Sequence, residues 1–258
     1  MSVIKFAQNL LAQRGFELKY QANPAYVDEA TIKQATSLIE GYTMLSRTRL
    51  VSLADQVAYC NATGMAGAFV ECGVWKGGAV ALMAYVSRLT GGTDRSLHLF
   101  DAFQDICAPN PEIDGEKALK ETAKFGVYTE GEPQPMTGIY DRFGGHGTID
   151  ACREVIAKAR YPEQHVHFHK GWFQDTVFEA AKSIGPIALL RLDGDWYEST
   201  KVCLEAFYDQ VTPGGFVIFD DYMTYDGCKR AVDEFFESRA IKPFLIRCDT
   251  SCYYVVKE

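Results

Sequence analysis

The chain has 258 residues, of which 47% are hydrophobic and 23% are charged, so its composition excludes a disordered or collagen-like protein. A chain of this length buries enough apolar surface to fold, without disulfides, as one large domain or as a domain with an appendage. Its 34 acidic residues outnumber its 26 basic residues, and the resulting net charge of -8 argues against a nucleic-acid partner.

The sequence carries no signal for export or membrane insertion. The N-terminal stretch lacks the uninterrupted apolar core and cleavage site of a signal peptide, and no window approaches about 18 uncharged apolar residues. The eight cysteines are scattered and form neither a C-x-x-C pair nor a cluster at zinc spacing. We therefore expect a reduced, cytoplasmic protein with no membrane partner.

Residues 1–65 are predicted to be mostly helical, because apolar residues from Leu38 to Val57 recur at steps of three and four. Ser46 is placed to cap a helix that begins near Arg47. We assign residues 1–65 to a helical segment that serves as a lid or in oligomerisation, and residues 66–258 to the main domain.

Beyond residue 66, short apolar strands alternate with helices. Strands are predicted at 68–72, 97–100, 166–169, 187–192 and 216–219, with a turn at 212–215 and a terminal hairpin at 244–247 and 253–256. Helices are predicted at 79–89, 199–211 and 228–238. This alternation indicates an α/β fold: a mainly parallel seven-stranded sheet with right-handed crossovers and a C-terminal antiparallel hairpin.

One irregular region, residues 102–150, is rich in Gly, Pro and charge. A segment of this length inside a compact domain is typical of a lid, a substrate loop or an insertion. His146 lies in its G-G-H-G sequence, where it could reach an active site, and is therefore a candidate catalytic residue.

Ligands of an open parallel sheet bind beyond the carboxyl ends of its strands. The first strand ends in E-C-G-V-W-K-G-G, which is not G-x-G-x-x-G, although its glycines would let a nucleoside approach the backbone. Asp101 closes the second strand, where it either accepts hydrogen bonds from a ribose or is a solvated loop carboxylate. Loop and acid together indicate an adenosine-type cofactor, and the negative edge would tolerate a cationic one such as a sulfonium.

Asp193 and Asp220 follow two strands separated by one helix, so those strands are expected to be neighbours and Asp193, Asp220 and Asp221 to converge. Oxygen ligands without His or Cys suit a hard ion such as Mg²⁺. The alternative is that one Asp faces solvent or caps the next helix. Asp195 is expected to orient the loop or touch substrate.

Aromatic residues and histidines accompany the third strand. Trp172 and Phe173, after Gly171, either stack on a purine or are core aromatics under a loop. His167 and His169 share one face of that strand with His165, but the surrounding sequence predicts a buried strand rather than a metal site.

The motifs F-V-E-C-G-V-W-K-G-G, L-F-D-A-F, K-G-W-F-Q-D-T, L-L-R-L-D-G-D-W-Y-E-S-T and P-G-G-F-V-I-F-D-D-Y occur in that order. From about residue 38 to the end, the chain resembles the macrocin- and mycinamicin-type sugar O-methyltransferases. The resemblance implies a Rossmann-like class I methyltransferase fold, S-adenosylmethionine as methyl donor, and dependence on Mg²⁺. The sequence departs from the family at 104–150, which is longer and reads F-Q-D-I-C-A-P after the second strand.

The resemblance also implies roles for individual residues. Asp193, Asp220 and Asp221 match the metal-binding acids, and Asp193 matches a proposed general base. The segment from Thr43 to Ser46 matches the part of the family that closes over the cofactor. The expected cofactor-binding residues are Thr43, Ser46, Glu71, Gly73, Lys76, Gly77, Asp101, Gly171, Trp172, Phe173 and Asp193.

The expected reaction is therefore metal-dependent methylation of a sugar hydroxyl on a natural product or a nucleotide-sugar, by a homo-oligomeric enzyme. A catechol-type O-methyltransferase is the nearest alternative, although its third acid is usually Asn where this chain has Asp221. An NAD-dependent oxidoreductase and a non-catalytic nucleoside-binding module are more remote alternatives.

Overall fold

The computed structural model describes residues 26–258, which form a central sheet between two layers of helices. The strands are β1 (Ala68–Cys72), β2 (Leu97–Asp101), β3 (Val166–Lys170), β4 (Ile187–Leu192), β5 (Val211–Phe219), β6 (Ile246–Arg247) and β7 (Tyr253–Val256). The helices are α1 (Glu29–Leu38), α2 (Arg47–Ala62), α3 (Gly78–Thr90), α4 (Gly115–Thr122), α5 (Ile149–Lys158), α6 (Phe173–Ile184), α7 (Tyr197–Phe207) and α8 (Asp226–Ser238).

The seven strands lie in the order β3-β2-β1-β4-β5-β7-β6, and those from β3 to β5 are parallel. β7 pairs antiparallel with both β5 and β6, so the predicted C-terminal hairpin is confirmed. β4 and β5 are neighbours, as the single intervening helix α7 predicts. The α/β prediction is therefore confirmed.

Alternate residues of each strand pack into two different apolar layers, as the two-residue period of a strand requires. Phe69 and Leu189 join α1, α2, α3 and α5 on one face, whereas Val70 and Leu190 join α6, α7 and α8 on the other. β1 and β4 are buried at every position, which explains their continuous apolar sequences.

Polar side chains cap the starts of the two N-terminal helices, Asp28 for α1 and Ser46 for α2. The Ser46 hydroxyl accepts a hydrogen bond from the Arg49 N–H (3.3 Å), which confirms the predicted cap of α2. The apolar period does not continue as a helix through Tyr42 and Leu45, because α1 ends at Leu38 and the chain turns before α2. Residues 1–25 of the predicted helical segment lie outside the described residues.

Two further predictions are wrong in detail. The expected turn at 212–215 belongs to β5, where a register shift opposite Ile187 and Leu189 accommodates Pro213 and the Gly-Gly pair within the strand. The expected helix at 199–211 is α7, which begins earlier and ends at Phe207.

The irregular region 102–150 contains α4 and the start of α5. Met136 of this region packs with Trp196 in a small buried apolar cluster.

All eight cysteines are unpaired, as the sequence analysis expected. Within residues 26–258, no helix combines the length and apolar character needed to span a bilayer.

Three histidines stack between β2 and the edge strand β3. His98 Nδ1 lies 3.0 Å from His169 Nε2, and the rings of His98 and His167 stack with centroids 4.6 Å apart. The described residues show no histidine metal site here. Burial and the neighbouring imidazoles lower the pKa of His98 to about 3.

We predict that this stack sensitises the fold to acid. The pKa of His98 in the folded state lies below its unfolded value of about 6.5, so the unfolded chain binds more protons as the pH falls through that value. His98→Phe should therefore reduce the acid-induced loss of unfolding free energy, by up to about 1.4 kcal/mol per pH unit between about pH 6.5 and pH 4. Urea unfolding at a series of pH values measures this difference.

His165→Phe is the matched control, because His165 precedes β3 and is outside the stack. Equal acid sensitivity in the His98→Phe variant and the unsubstituted protein would contradict the prediction.

Candidate active site

The acids that follow β4 and β5 meet at one point of the sheet edge. One oxygen each from Asp193, Asp220 and Asp221 lies within 4.8 Å of the others. Backbone hydrogen bonds fix their positions, since the Asp193 N–H donates to the Cys72 carbonyl (2.8 Å) and the Asp220 N–H to the Leu192 carbonyl (3.0 Å). The structure thus brings together the three acids that the sequence analysis grouped.

A buried arginine lies behind these acids. The Arg191 guanidinium donates to Asp193 Oδ2 (2.8 Å) and Asp220 Oδ1 (2.6 Å), and it also contacts Glu71 Oε1. The side chains of Arg191 and Glu71 are 3% and 1% exposed. Burial raises the pKa of Glu71 to about 8, an effect that the Arg191 charge opposes. Because buried like charges need a countercharge, Arg191 makes this crowding of acids possible.

A second arginine reaches the cluster from α2, and sequence reasoning missed it. Arg49 contacts Asp220 Oδ2 and donates through Nε to Asp249 Oδ2 (2.8 Å). Asp249 lies in the β6–β7 turn and also accepts a hydrogen bond from the Ser46 hydroxyl (3.1 Å). The sequence places Arg49 one turn beyond a helix cap, but nothing in it links that position to acids at the far end of the chain.

Asp221 is the least compensated member of the cluster. Its Oδ2 is buried and has no hydrogen-bond partner among the described residues. Burial raises the pKa of Asp221 well above its ordinary value, and the charges of Asp195 and Asp193 add to this effect. An orphaned carboxylate oxygen beside two further carboxylates is a donor set that hard cations such as Mg²⁺ take. The residues present therefore fit such an ion.

Asp195 also faces this cluster from the loop after β4. Its φ of +61° is uncommon for a residue other than glycine, and such conformations concentrate at functional sites. Burial and the charges of Asp193 and Asp220 raise the pKa of Asp195 well above its ordinary value. Strongly perturbed carboxyl groups of this kind concentrate at functional sites.

The loop after β1 abuts the end of β4. Gly73 has a φ of +90°, and a Cβ atom there would lie 1.8 Å from the Asp193 carbonyl oxygen. Asp101 Oδ2 accepts hydrogen bonds from the backbone N–H groups of Val74 (2.8 Å) and Trp75 (3.0 Å). Asp101 thus fixes this loop, while its predicted contact with a ribose stays a prediction.

A cavity of about 780 Å³ opens above this edge, within the size range of small-molecule sites. Most of the predicted cofactor-binding residues line it, namely Thr43, Glu71, Gly73, Asp101, Gly171, Trp172, Phe173 and Asp193. The other three predicted residues, Ser46, Lys76 and Gly77, are not among the residues that line the cavity. Ser46 caps α2, Gly77 precedes α3, and Lys76 Nζ donates to the carbonyls of Phe143 (2.8 Å) and Gly144 (3.1 Å). Direct cofactor contacts of these three stay predictions.

The irregular region 102–150 forms a further part of the wall of this cavity. Tyr128 and Tyr140 line it, and the Tyr128 hydroxyl donates to Glu198 (3.2 Å) on α7. His146 is 43% exposed, lies 3.9 Å from Asp105 and is not part of the cavity wall, so its catalytic role stays a prediction.

A sheet of this order, with an acid-lined cavity at its carboxyl edge, defines a class I methyltransferase. The family model for macrocin O-methyltransferase (TylF) matches residues 8–131 and 148–257. The chain belongs to this family and is an S-adenosylmethionine-dependent O-methyltransferase.

Individual relatives agree with this assignment. This chain is 35% identical, over 75% of its own length and 67% of the relative's, to an enzyme from Streptomyces olivaceus, the 8-demethyl-8-(2,3-dimethoxy-alpha-L-rhamnosyl)-tetracenomycin-C 4'-O-methyltransferase. The demethyldecarbamoylnovobiocin O-methyltransferase from Streptomyces niveus is 33% identical, over 83% of this chain and 74% of the relative. The structure of the O-methyltransferase NovP is 29% identical, with a TM-score of 0.68 over 98% of this chain and 97% of that chain.

We predict that Gly73→Ala disrupts the contact between the β1 loop and the Asp193 backbone. The new Cβ would collide with the Asp193 carbonyl, so we expect a loss of about 2–4 kcal/mol of unfolding free energy and weaker S-adenosylmethionine binding. Urea unfolding and calorimetric titration measure the two effects.

Gly91→Ala is the control, because Gly91 has a similar φ of +87° and open space where its Cβ would lie. If both variants lose the same stability, backbone conformation rather than the contact with Asp193 explains the loss.

Proposed function

We propose that this enzyme methylates a sugar hydroxyl and requires a divalent cation, most simply Mg²⁺, held by Asp193, Asp220 and Asp221. The observation that carries the proposal is the convergence of three carboxylates, one with an orphaned oxygen, on a cavity large enough for donor and acceptor. A cation there, when bound, would lower the pKa of the acceptor hydroxyl and favour its alignment.

We assign the donor to the part of the cavity that is lined by the β1 loop, the end of β3 and the segment from Thr43 to Leu45, and we call this part the donor side. Trp172 and Phe173 provide aromatic surface for an adenine ring. The acids of the sheet edge supply a negative field that suits the positively charged sulfur of S-adenosylmethionine. This donor, when bound, supplies the electrophilic methyl carbon.

The acceptor hydroxyl must lose its proton inside the cavity. Asp193 is the base that the family resemblance suggests, but one of its oxygens is already held by Arg191 (2.8 Å). Asp195 lines the same cavity and has no guanidinium partner among the described residues, so its carboxylate is available to accept the hydroxyl proton. We therefore propose Asp193 primarily as a metal ligand and Asp195 as a second candidate for the base.

The elements around the cavity suggest further roles. We propose that the described part of residues 1–65 covers the donor and that the insertion at 102–150 contacts the acceptor, because both line the cavity. The relative from Streptomyces olivaceus acts, by its name, on a rhamnosyl-tetracenomycin, which supports a glycosylated small-molecule acceptor. A homo-oligomeric, cytoplasmic enzyme is also proposed, and light scattering of the purified full chain tests the oligomeric part.

Substitution of single acids should separate metal binding from proton transfer. Asp193→Asn should weaken Mg²⁺ binding at least about tenfold and lower kcat/KM at least about 100-fold. Asp195→Asn should leave the Mg²⁺ Kd within about threefold and lower kcat about 100- to 1,000-fold. Calorimetric titration with Mg²⁺ and initial rates with a glycosylated acceptor measure these effects.

Asp209→Asn is the control, because Asp209 pairs with Arg239 at the surface, at the opposite end of β5. An unchanged Mg²⁺ Kd in Asp193→Asn would remove its role as a ligand. Near-native turnover in Asp195→Asn would remove its role as the base.

Removal of the metal gives the simplest test of the proposal. In EDTA we expect methyl transfer to fall at least about 100-fold, and added Mg²⁺ should restore it. S-adenosylmethionine binding should persist in EDTA, because the contacts proposed for it with the β1 loop, Trp172 and Phe173 do not involve the metal. Full turnover in EDTA would refute the metal requirement, and absence of donor binding in both buffers would refute the donor site.

A further inference from the structure

The segment Tyr42–Leu45 forms part of the cavity wall on the donor side and leads directly into α2. It is not helical, so its position depends on contacts with the rest of the chain. One such contact joins it to the first turn of α3, where the Gly78 N–H donates to the Tyr42 carbonyl (2.9 Å). The Tyr42 hydroxyl also donates to Glu154 (2.5 Å) and accepts from Lys158 (3.0 Å) on α5, and the start of α2 is held where Ser46 and Arg49 bind Asp249.

Asp249 fastens the start of α2 to the β6–β7 turn. Its carboxylate accepts hydrogen bonds from the Ser46 hydroxyl (3.1 Å) and from Arg49 Nε (2.8 Å) and Nη2 (3.3 Å). The same carboxylate accepts hydrogen bonds from the backbone N–H groups of Ser251 and Cys252, both at 2.9 Å. The Arg49 and Asp249 side chains are 17% and 18% exposed, so solvent screens this pair only in part.

The other end of the Arg49 guanidinium contacts a proposed metal ligand. Its Nη1 contacts Asp220 Oδ2, while Arg191 holds Asp220 Oδ1 at 2.6 Å. Arg191 belongs to the central strand β4, whereas Arg49 belongs to α2, the helix that follows the segment Tyr42–Leu45. The orientation of the Asp220 carboxylate therefore depends in part on where that helix begins.

We propose that Arg49 is a positioning residue that couples donor binding to cation binding. This inference rests on the proposed function. A donor that contacts Tyr42–Leu45 immobilises the segment and hence Arg49, so that less conformational freedom remains to be lost when Asp220 binds a cation. Coupling between two sites is reciprocal, so each ligand tightens the other by the same factor. We expect that factor to be at least about fivefold.

The experiment measures four dissociation constants on the full-length, metal-stripped protein. Calorimetry gives the Kd of S-adenosylmethionine with Mg²⁺ and in EDTA, and the Kd of Mg²⁺ with and without S-adenosylmethionine. In Arg49→Met, the ratio within each pair should fall to about one, and Arg49→Lys should restore part of it. A purely electrostatic effect of Arg49 on Asp220 would instead change the Mg²⁺ Kd equally with and without donor.

Arg47→Met is the matched control, because Arg47 lies in the same turn of α2 but pairs with Glu29 at the surface. Its coupling factor should equal that of the unsubstituted protein. Asp249→Asn is the second variant, should Arg49→Met fail to fold. It leaves Arg49 beside Asp220 but weakens the attachment to the turn, and it should also lose most of the coupling.

Independent binding of the two ligands to the unsubstituted protein would overturn the inference, as would full coupling in Arg49→Met or Asp249→Asn. Both outcomes leave the proposed function intact. Failure of S-adenosylmethionine or of Mg²⁺ to bind the unsubstituted protein would overturn the proposed function and this inference with it.

Discussion

The compensation of buried negative charge is the constraint on which the rest of this site depends. Three parallel strands deliver Glu71, Asp193 and Asp220 to one edge of the sheet, where the first and last are buried and Asp193 is 30% exposed. Such an array is stable only if countercharges are built into it. Arg191 meets this requirement from within the sheet, because it stands opposite Glu71 in the β1–β4 register and contacts all three acids.

The arginines do not compensate all of the negative charge, and the uncompensated acids have chemical consequences. Arg191 and Arg49 engage Asp193 and Asp220, but Asp195 and Asp221 receive no guanidinium partner among the described residues. Their carboxyl groups consequently have raised pKa values, caused first by burial and then by neighbouring acids. A site with residual negative charge attracts cations, both a divalent ion and a sulfonium. The geometry that the sheet imposes thus favours both ligands of the proposed reaction.

The sequence predicted the parts of this arrangement that depend on local pattern. Apolar runs located the strands, and the acids that end them could be grouped because parallel strands share one edge. The role of Arg49 could not be predicted, since it depends on how α2 packs against the β6–β7 turn two hundred residues away. The turn expected at 212–215 failed because Pro and Gly favour turns locally, whereas hydrogen bonds of Gly214 and Gly215 with Lys257 and pairing of the flanking residues Val211 and Phe216 with β4 continue β5 through this stretch.

In the proposed function, the fold separates the reaction from the recognition of the acceptor. The acids lie at strand ends, where backbone pairing on both sides fixes their positions, so the chemistry tolerates little variation. The proposed acceptor side is instead lined by a connection outside the sheet, and the family model leaves residues 132–147 of this connection unmatched. Tyr140, Arg142 and Phe143 belong to this unmatched stretch and line the cavity. Loops accept insertions that strands do not, so the proposed acceptor contacts fall where this chain departs from the family model, whereas the acids fall within the matched residues.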